Sequence, residues 1–301
     1  MQARLIAAIL TAALLASAAP AQAQQQPAPQ VQQPAPDPLL GQFGTILEVA
    51  PPPPEAARLA NLLSTSFASL QPQRRRHGDV YLVVASLWDD PVFEREAVQA
   101  EAILREHLGA EGRSIILSAG GQGQRQYPAA TPTNIAATIG QVATLMDPSE
   151  DLFVLFITSH GTPDGAASLQ ERQRLQASLR PISLSAMLSQ ANIQNRVVIV
   201  SACFSGAFIP PLQNANTIVL TAAAADRTSF GCEPQRDWTY FGDAYFNRAL
   251  REGASMLEGF ERAKSQISTW ETEQHLTPSM PQSAIGANAA AMLQRAERDA
   301  R

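Results

Sequence analysis

Long apolar runs are nearly absent from this sequence of 301 residues. Only residues 5–15 approach one, and they fall short of the roughly 20 residues that cross a bilayer as a helix. No stable membrane insertion is expected. Basic tracts are equally scarce: the arginines at 74–76 form the single run, and the formal net charge is −5. With no cationic stripe to follow a phosphate backbone, nucleic acid is not an expected partner. No set of histidine, cysteine and carboxylate residues has metal-ligand spacing, so neither a metal nor another cofactor is expected. Glycine clusters at 120–123, without the dinucleotide fingerprint and without a phosphate-loop lysine, which makes that stretch a loop rather than a nucleotide cradle.

What is present begins with a leader. Arg4 gives a positive n-region, residues 5–15 an apolar stretch and Ala21-Gln22-Ala23 a small-x-small cleavage site, so residues 1–23 read as a signal peptide and the mature chain as exported, periplasmic or secreted. Residues 24–54 are rich in glutamine and proline and read as a disordered linker. Residues 55–78 read as a lead-in helix or pro-segment, residues 79–286 as the globular domain, and residues 287–301 as a polar C-terminal tail. With 45% hydrophobic and 16% charged residues, the chain can bury one good-sized core.

Inside 79–286 two patterns alternate. Unbroken apolar runs at 80–85, 152–157, 197–200 and 217–221 suit strands covered on both faces, with a shorter strand at 114–117. Between them lie helical periodicities: Phe93, Ala97, Ala100, Leu104 and Leu108 on one stripe ended by Gly109, then about 133–146, 184–191, 240–251 and 256–270. A long polar loop is expected after 157. This is an α/β chain with an open parallel sheet and helices on both faces.

Active sites of such sheets lie beyond the carboxyl ends of the strands. His160 follows the strand ending at 157 and Cys203 the strand ending at 200, so adjacent strands would bring them side by side. An isolated thiol is only a few per cent ionised at neutral pH and needs a base beside it. Glycine next to the histidine would let backbone amides reach a developing oxyanion, which assigns that hole to the amides of Gly161 and Cys203. The other histidines, His77, His107 and His275, lack such company. Ser205 lacks the glycine of a serine nucleophile elbow. The two cysteines, Cys203 and Cys232, admit a disulfide or two free thiols, and only the second leaves a nucleophile.

Three segments in order carry a resemblance: the strand-His-Gly stretch 153–161, the strand-Ala-Cys-x-Ser-Gly stretch 197–206, and TAAAADRTSFGC at 221–232 followed by Tyr240-Phe241-Gly242-Asp243. Across 79–270 the chain resembles the legumain family of cysteine peptidases, in the form of a bacterial-type exported member. The resemblance implies a caspase-like α/β/α sandwich with a mostly parallel sheet, and a His160–Cys203 dyad acting on peptide or protein substrates through a thioester, after Asn or Asp. It also implies a substrate pocket that includes Ser229 and Asp243. The family draws an arginine, a histidine and a histidine-orienting asparagine from the loop after the first strand. Here that loop reads Ser86-Leu87-Trp88-Asp89-Asp90-Pro91, which leaves Asp89 or Asp90 to orient His160. Arg227 either favours an acidic substrate side chain by bidentate contact or pairs with Asp226. A transpeptidase or transamidase, and a silent scaffold on the same fold, are the alternative readings.

Overall fold

The computed structural model describes residues 44–121 and 125–301. The expected signal peptide and the first part of the expected linker lie outside the described residues. In chain order the elements are β1 (Leu47–Glu48), α1 (Pro53–Ser69), β2 (Val80–Ser86), α2 (Pro91–Leu108), β3 (Ser114–Ser118), α3 (Pro132–Leu145), β4 (Leu152–Thr158), β5 (Ala167–Glu171), β6 (Leu175–Leu179), α4 (Pro181–Gln190) and β7 (Arg196–Ser201). A 3-10 turn at Ser205–Phe208 follows, then α5 (Ile209–Leu212), β8 (Thr217–Thr221), α6 (Tyr240–Gly242) continuing into a π-helix over Asp243–Leu250, α7 (Met256–Glu273), β9 (Gln282–Ile285) and α8 (Ala287–Asp299).

Six strands make the main sheet in the order β3-β2-β4-β7-β8-β9. All pairs are parallel except β8 with β9, which run antiparallel. The central strands are apolar at nearly every position because both faces are covered. Tyr81, Val83, Phe153, Leu155, Val198 and Val200 pack on one side with residues of α3, α4, β5 and β6. Their neighbours Val80, Leu82, Val154, Phe156, Val197 and Ile199 pack on the other with α2, the π-helix, α7 and α8. Period-two alternation therefore feeds two separate cores, and each fully buried large side chain contributes about 1.5–3 kcal/mol.

The helix boundaries follow local chemistry. Thr131 caps α3 by accepting from the Asn134 amide at 3.1 Å. Gly109 ends α2 in the left-handed region, at φ 62°. Among the described residues no helix is long and apolar enough to cross a membrane.

Four differences from the sequence reading have physical causes. The stretch expected as a polar loop folds back as the β5–β6 hairpin, in which Ala167, Leu169, Leu175 and Leu179 are buried. Residues 287–301, expected as a polar tail, form α8, whose Ala289, Leu293 and Ala296 enter the second core. The described end of the expected linker pairs Leu47 and Glu48 with β6, and α1 starts at Pro53. The helix expected over 240–251 is a single turn followed by a π-helix.

Candidate active site

β4 and β7 pair in parallel with Thr158 opposite Ser201. The Ser159 amide donates to the Ser201 carbonyl at 3.0 Å, adding one rung beyond the strands. His160 and Cys203 each come two residues after this matched pair, so they leave the sheet at one level on strands about 4.8 Å apart. The backbones then close on each other. A Cβ at position 161 would sit 1.8 Å from the Cys203 carbonyl oxygen, so only glycine fits there. Among the described residues neither the Gly161 nor the Cys203 amide donates to a protein acceptor.

His160 is held on three sides. Its ring meets Trp88 edge-on at 5.1 Å and Phe93 at 4.9 Å between centroids. Its Nε2 lies 3.3 Å from Asp90 Oδ2. Asp90 immediately precedes Pro91, which opens α2 with its φ preset for a helix. Of the two aspartates left open by the sequence, Asp90 reaches the histidine. Asp89 instead binds the Arg172 amide and the Gln170 side chain in the β5–β6 hairpin. With a carboxylate accepting from Nε2–H, the imidazole tautomer leaves Nδ1 as the basic nitrogen.

Cys203 and Cys232 are both free thiols. Cys203 Sγ accepts from the Ser229 amide at 3.3 Å and lies 3.6 Å from Ser229 Oγ. Phe204, the next residue, takes a left-handed conformation at φ 58° and starts the 3-10 turn. Non-glycine residues in that region cost on the order of 1 kcal/mol and are held there by their surroundings. Here the Phe204 amide donates to the Arg227 carbonyl at 2.7 Å. A Cβ at Gly206 would meet the Ala225 amide at 2.5 Å, so the turn lies flat against the segment at 224–225. Ser205 points inward, where its hydroxyl accepts from the Ala223 amide at 3.1 Å. Burial, and after it the proximity of Cys203, pushes the Cys232 thiol far up, so it stays neutral.

Of the expected pocket residues, Ser229 touches the thiol and Asp243 does not. Asp243 accepts from Asn247 Nδ2 at 2.5 Å and pairs with Arg248 at 3.4 Å, both on the π-helix. Arg227 Nε lies 3.7 Å from the exposed Asp226 and, among the described residues, is buried without a hydrogen-bond partner.

A residue not singled out from the sequence is Glu96. It lies one turn after Phe93 on the inner face of α2 and is wholly buried. Oε2 accepts from Thr158 Oγ1 at 3.2 Å and from the Thr239 amide at 3.3 Å, and Oε1 accepts from Thr239 Oγ1 at 3.1 Å. Desolvation outweighs these bonds and raises its carboxyl to about 7. Its i, i+3 spacing from Phe93 was the available signal.

A six-stranded, mostly parallel sheet between helical layers, with histidine and cysteine at the ends of neighbouring strands, defines a caspase-like α/β protein of the cysteine-peptidase type. Among solved structures, caspase-1 from Spodoptera frugiperda matches with a TM-score of 0.50 at 12% identity, over 72% of this chain and 93% of that one, which shows the fold. No curated protein sequence matches the chain significantly. The sequence profile of the peptidase C13 family matches residues 121–291, more than half of the chain. The protein belongs to the peptidase C13 family, in agreement with the legumain resemblance. The matched span holds His160, Cys203 and Ser229, whereas Trp88, Asp90, Phe93 and Glu96 precede it.

Proposed function

We propose that the protein is an exported cysteine endopeptidase that cleaves peptide or protein substrates through a thioester on Cys203, with His160 as general acid and base. The observation that carries this reading is the matched register of His160 and Cys203 beside two undonated amides.

In the proposed cycle His160 Nδ1 takes the thiol proton, and the Ser229 amide stabilises the growing thiolate. Sγ attacks the scissile carbonyl, whose oxygen is received by the Gly161 and Cys203 amides. The imidazolium, steadied by Asp90, gives its proton to the leaving amine as the C–N bond breaks. A water then loses a proton to His160 and attacks the thioester. The acid leaves and the thiol is restored.

For the residue before the scissile bond, Ser229 and Arg227 are the proposed contacts, and Asp over Asn is the proposed preference. The support is chemical: Arg227 Nε is buried, makes no hydrogen bond among the described residues and faces the exposed Asp226 at 3.7 Å, and a carboxylate would receive its guanidinium fork where a neutral amide would not. Asp243 is assigned to holding the π-helix at the pocket's edge, on the strength of its bonds to Asn247 and Arg248.

The test is cleavage of a peptide library by wild-type, Cys203→Ala and His160→Ala protein. Loss of all cleavage in both variants supports the assignment, and retained cleavage by either refutes it.

A further inference from the structure

Below the dyad lies a buried carboxylate to which the proposed cycle gives no task. Glu96 links three chain segments, each carrying one component of the site. Thr158 stands two residues before His160, and its hydroxyl donates to Oε2 at 3.2 Å. Thr239 closes the stretch that carries Arg227 and Ser229, and it binds both carboxylate oxygens through its amide and hydroxyl. Ser201 stands two residues before Cys203 and lies 3.2 Å from Thr239 Oγ1. Thr239 Oγ1 also accepts from the Gly242 amide at 3.0 Å and its own proton goes to Glu96, so the Ser201 hydroxyl donates either to Thr239 or to the Glu96 carboxylate itself. With Glu96 ionised, the network has one direction, and every hydroxyl and amide proton in it points toward the carboxylate.

Such a group is an expensive way to fill space. An apolar side chain of similar volume would satisfy packing without desolvating a charge, and buried carboxylates without a cation are uncommon. Arg95, next to it on α2, is engaged elsewhere, pairing with Asp237 at 3.1 Å and donating to the Pro234 and Arg236 carbonyls. Titratable and charged groups on the elements around Glu96 include Glu94 and Arg95 on its own helix, Asp90 before it, Asp226, Arg227, Cys232, Glu233, Arg236 and Asp237 on the adjoining stretch, Tyr240 on α6, Asp243, Tyr245 and Arg248 on the π-helix, and His160 and Cys203 just past the strand ends. Space there is tight: a Cβ at Gly242 would lie 2.3 Å from Glu96 Oε1.

Resting on the peptidase reading above, we propose that Glu96 is a positioning residue for the dyad. By gathering Thr158, Thr239 and, through Thr239, Ser201, it fixes His160, Cys203 and the Ser229 segment relative to one another. Misplacement of reacting groups by about 1 Å costs on the order of 100-fold in rate.

The experiment uses the full chain with Glu96→Gln and Glu96→Ala. It measures peptide cleavage, thermal melting, and iodoacetamide labelling of Cys203 by peptide mapping from about pH 5 to pH 9, the range in which activated thiols ionise. Glu96→Ala is expected to lower kcat about 10- to 100-fold with KM within about twofold. Glu96→Gln, whose amide oxygen still accepts from a threonine, is expected to recover most of that loss. The labelling profile of the wild type is expected to carry an inflection from Glu96 that both variants lack. If Glu96→Ala does not fold, the profile of Glu96→Gln decides. Folded variants with wild-type kcat and superimposable labelling profiles overturn the proposal, as does a loss of kcat that only tracks melting temperature. If wild-type Cys203 labels no faster than a free thiol, the dyad reading itself fails and takes this proposal with it.

Discussion

Replacing Gly161 with alanine brings a methyl group to 1.8 Å from the Cys203 carbonyl oxygen, where real Cβ contacts do not fall below 3.0 Å. The contact is backbone on both sides, so no side-chain rotamer can relieve it. Either the turn at 160–161 or the one at 202–204 must retreat by about 1 Å or more. The first shift displaces one proposed oxyanion donor and the second displaces the nucleophile. Removing one such donor costs about 10²–10³ in kcat, and misplacing a reactive group by 1 Å costs about the same. Overpacking costs about 1–3 kcal/mol of stability, which for a domain of this size lowers the melting temperature by several degrees and leaves it folded. The assay is steady-state cleavage of a fluorogenic peptide alongside a thermal melt. A drop of about 10²–10³ in kcat/KM with a cooperative melt is expected, and a Gly161→Ala protein with near wild-type kcat/KM would refute both the close approach and the oxyanion assignment.

Three further outcomes are expected. Asp90→Ala should lower kcat about 10- to 100-fold with little change in KM, and Asp90→Asn, which still accepts from Nε2–H, should recover part of it; equal loss in both would remove the orienting role. Arg227→Ala should erase the preference for Asp over Asn before the scissile bond, measured as the ratio of kcat/KM on paired peptides, and an unchanged ratio would exclude Arg227 from the pocket. Glu96 has a folded-state carboxyl raised from 4.5 to about 7, so between those pH values the folded protein holds the proton more tightly than the unfolded chain. Its contribution therefore favours folding at low pH and is lost as pH rises through about 7, by a few kcal/mol at most. Denaturant melts should show Glu96→Gln gaining stability relative to wild type over that window, and a pH-independent difference would contradict it.

Much of the fold and the core of the candidate site are legible in the sequence because they rest on strong local signals. Strands covered on both faces read as unbroken apolar runs, and residues just past two such runs are easily found, which is how His160 and Cys203 emerge. The hairpin of β5 and β6 is harder to see, since its inward residues Ala167 and Leu169 alternate with serine and glutamine inside a polar stretch. Helix α8 builds its inner face from Ala289, Leu293 and Ala296, and two methyl groups and one leucine carry little weight beside Gln294, Arg295, Glu297, Arg298 and Asp299. The choice of Asp90 over Asp89 depends on where α2 begins, one residue after Asp90, and this helix start turns Asp89 toward the hairpin instead. Asp243 shows the opposite limit. A motif places it near the pocket, while its contacts are set by the π-helix, a winding that sequence periodicity does not announce. Glu96 lies beside the apolar stripe of α2 rather than on it, and glutamate is almost never fully buried, so nothing in the sequence beyond its spacing from Phe93 sets it apart. Only the three-dimensional arrangement of Thr158, Ser201 and Thr239 explains its place.

The central claim is that Cys203 becomes acylated during turnover. Acid-quenched mixtures of the wild-type protein with a slowly hydrolysed peptide ester, examined by intact mass and peptide mapping, test it directly. The account predicts a mass increase equal to the acyl group, confined to the peptide that contains Cys203 and absent from Cys203→Ala protein. Product formation with no adduct on Cys203, or with the acyl group on Cys232 or Ser205, would contradict it.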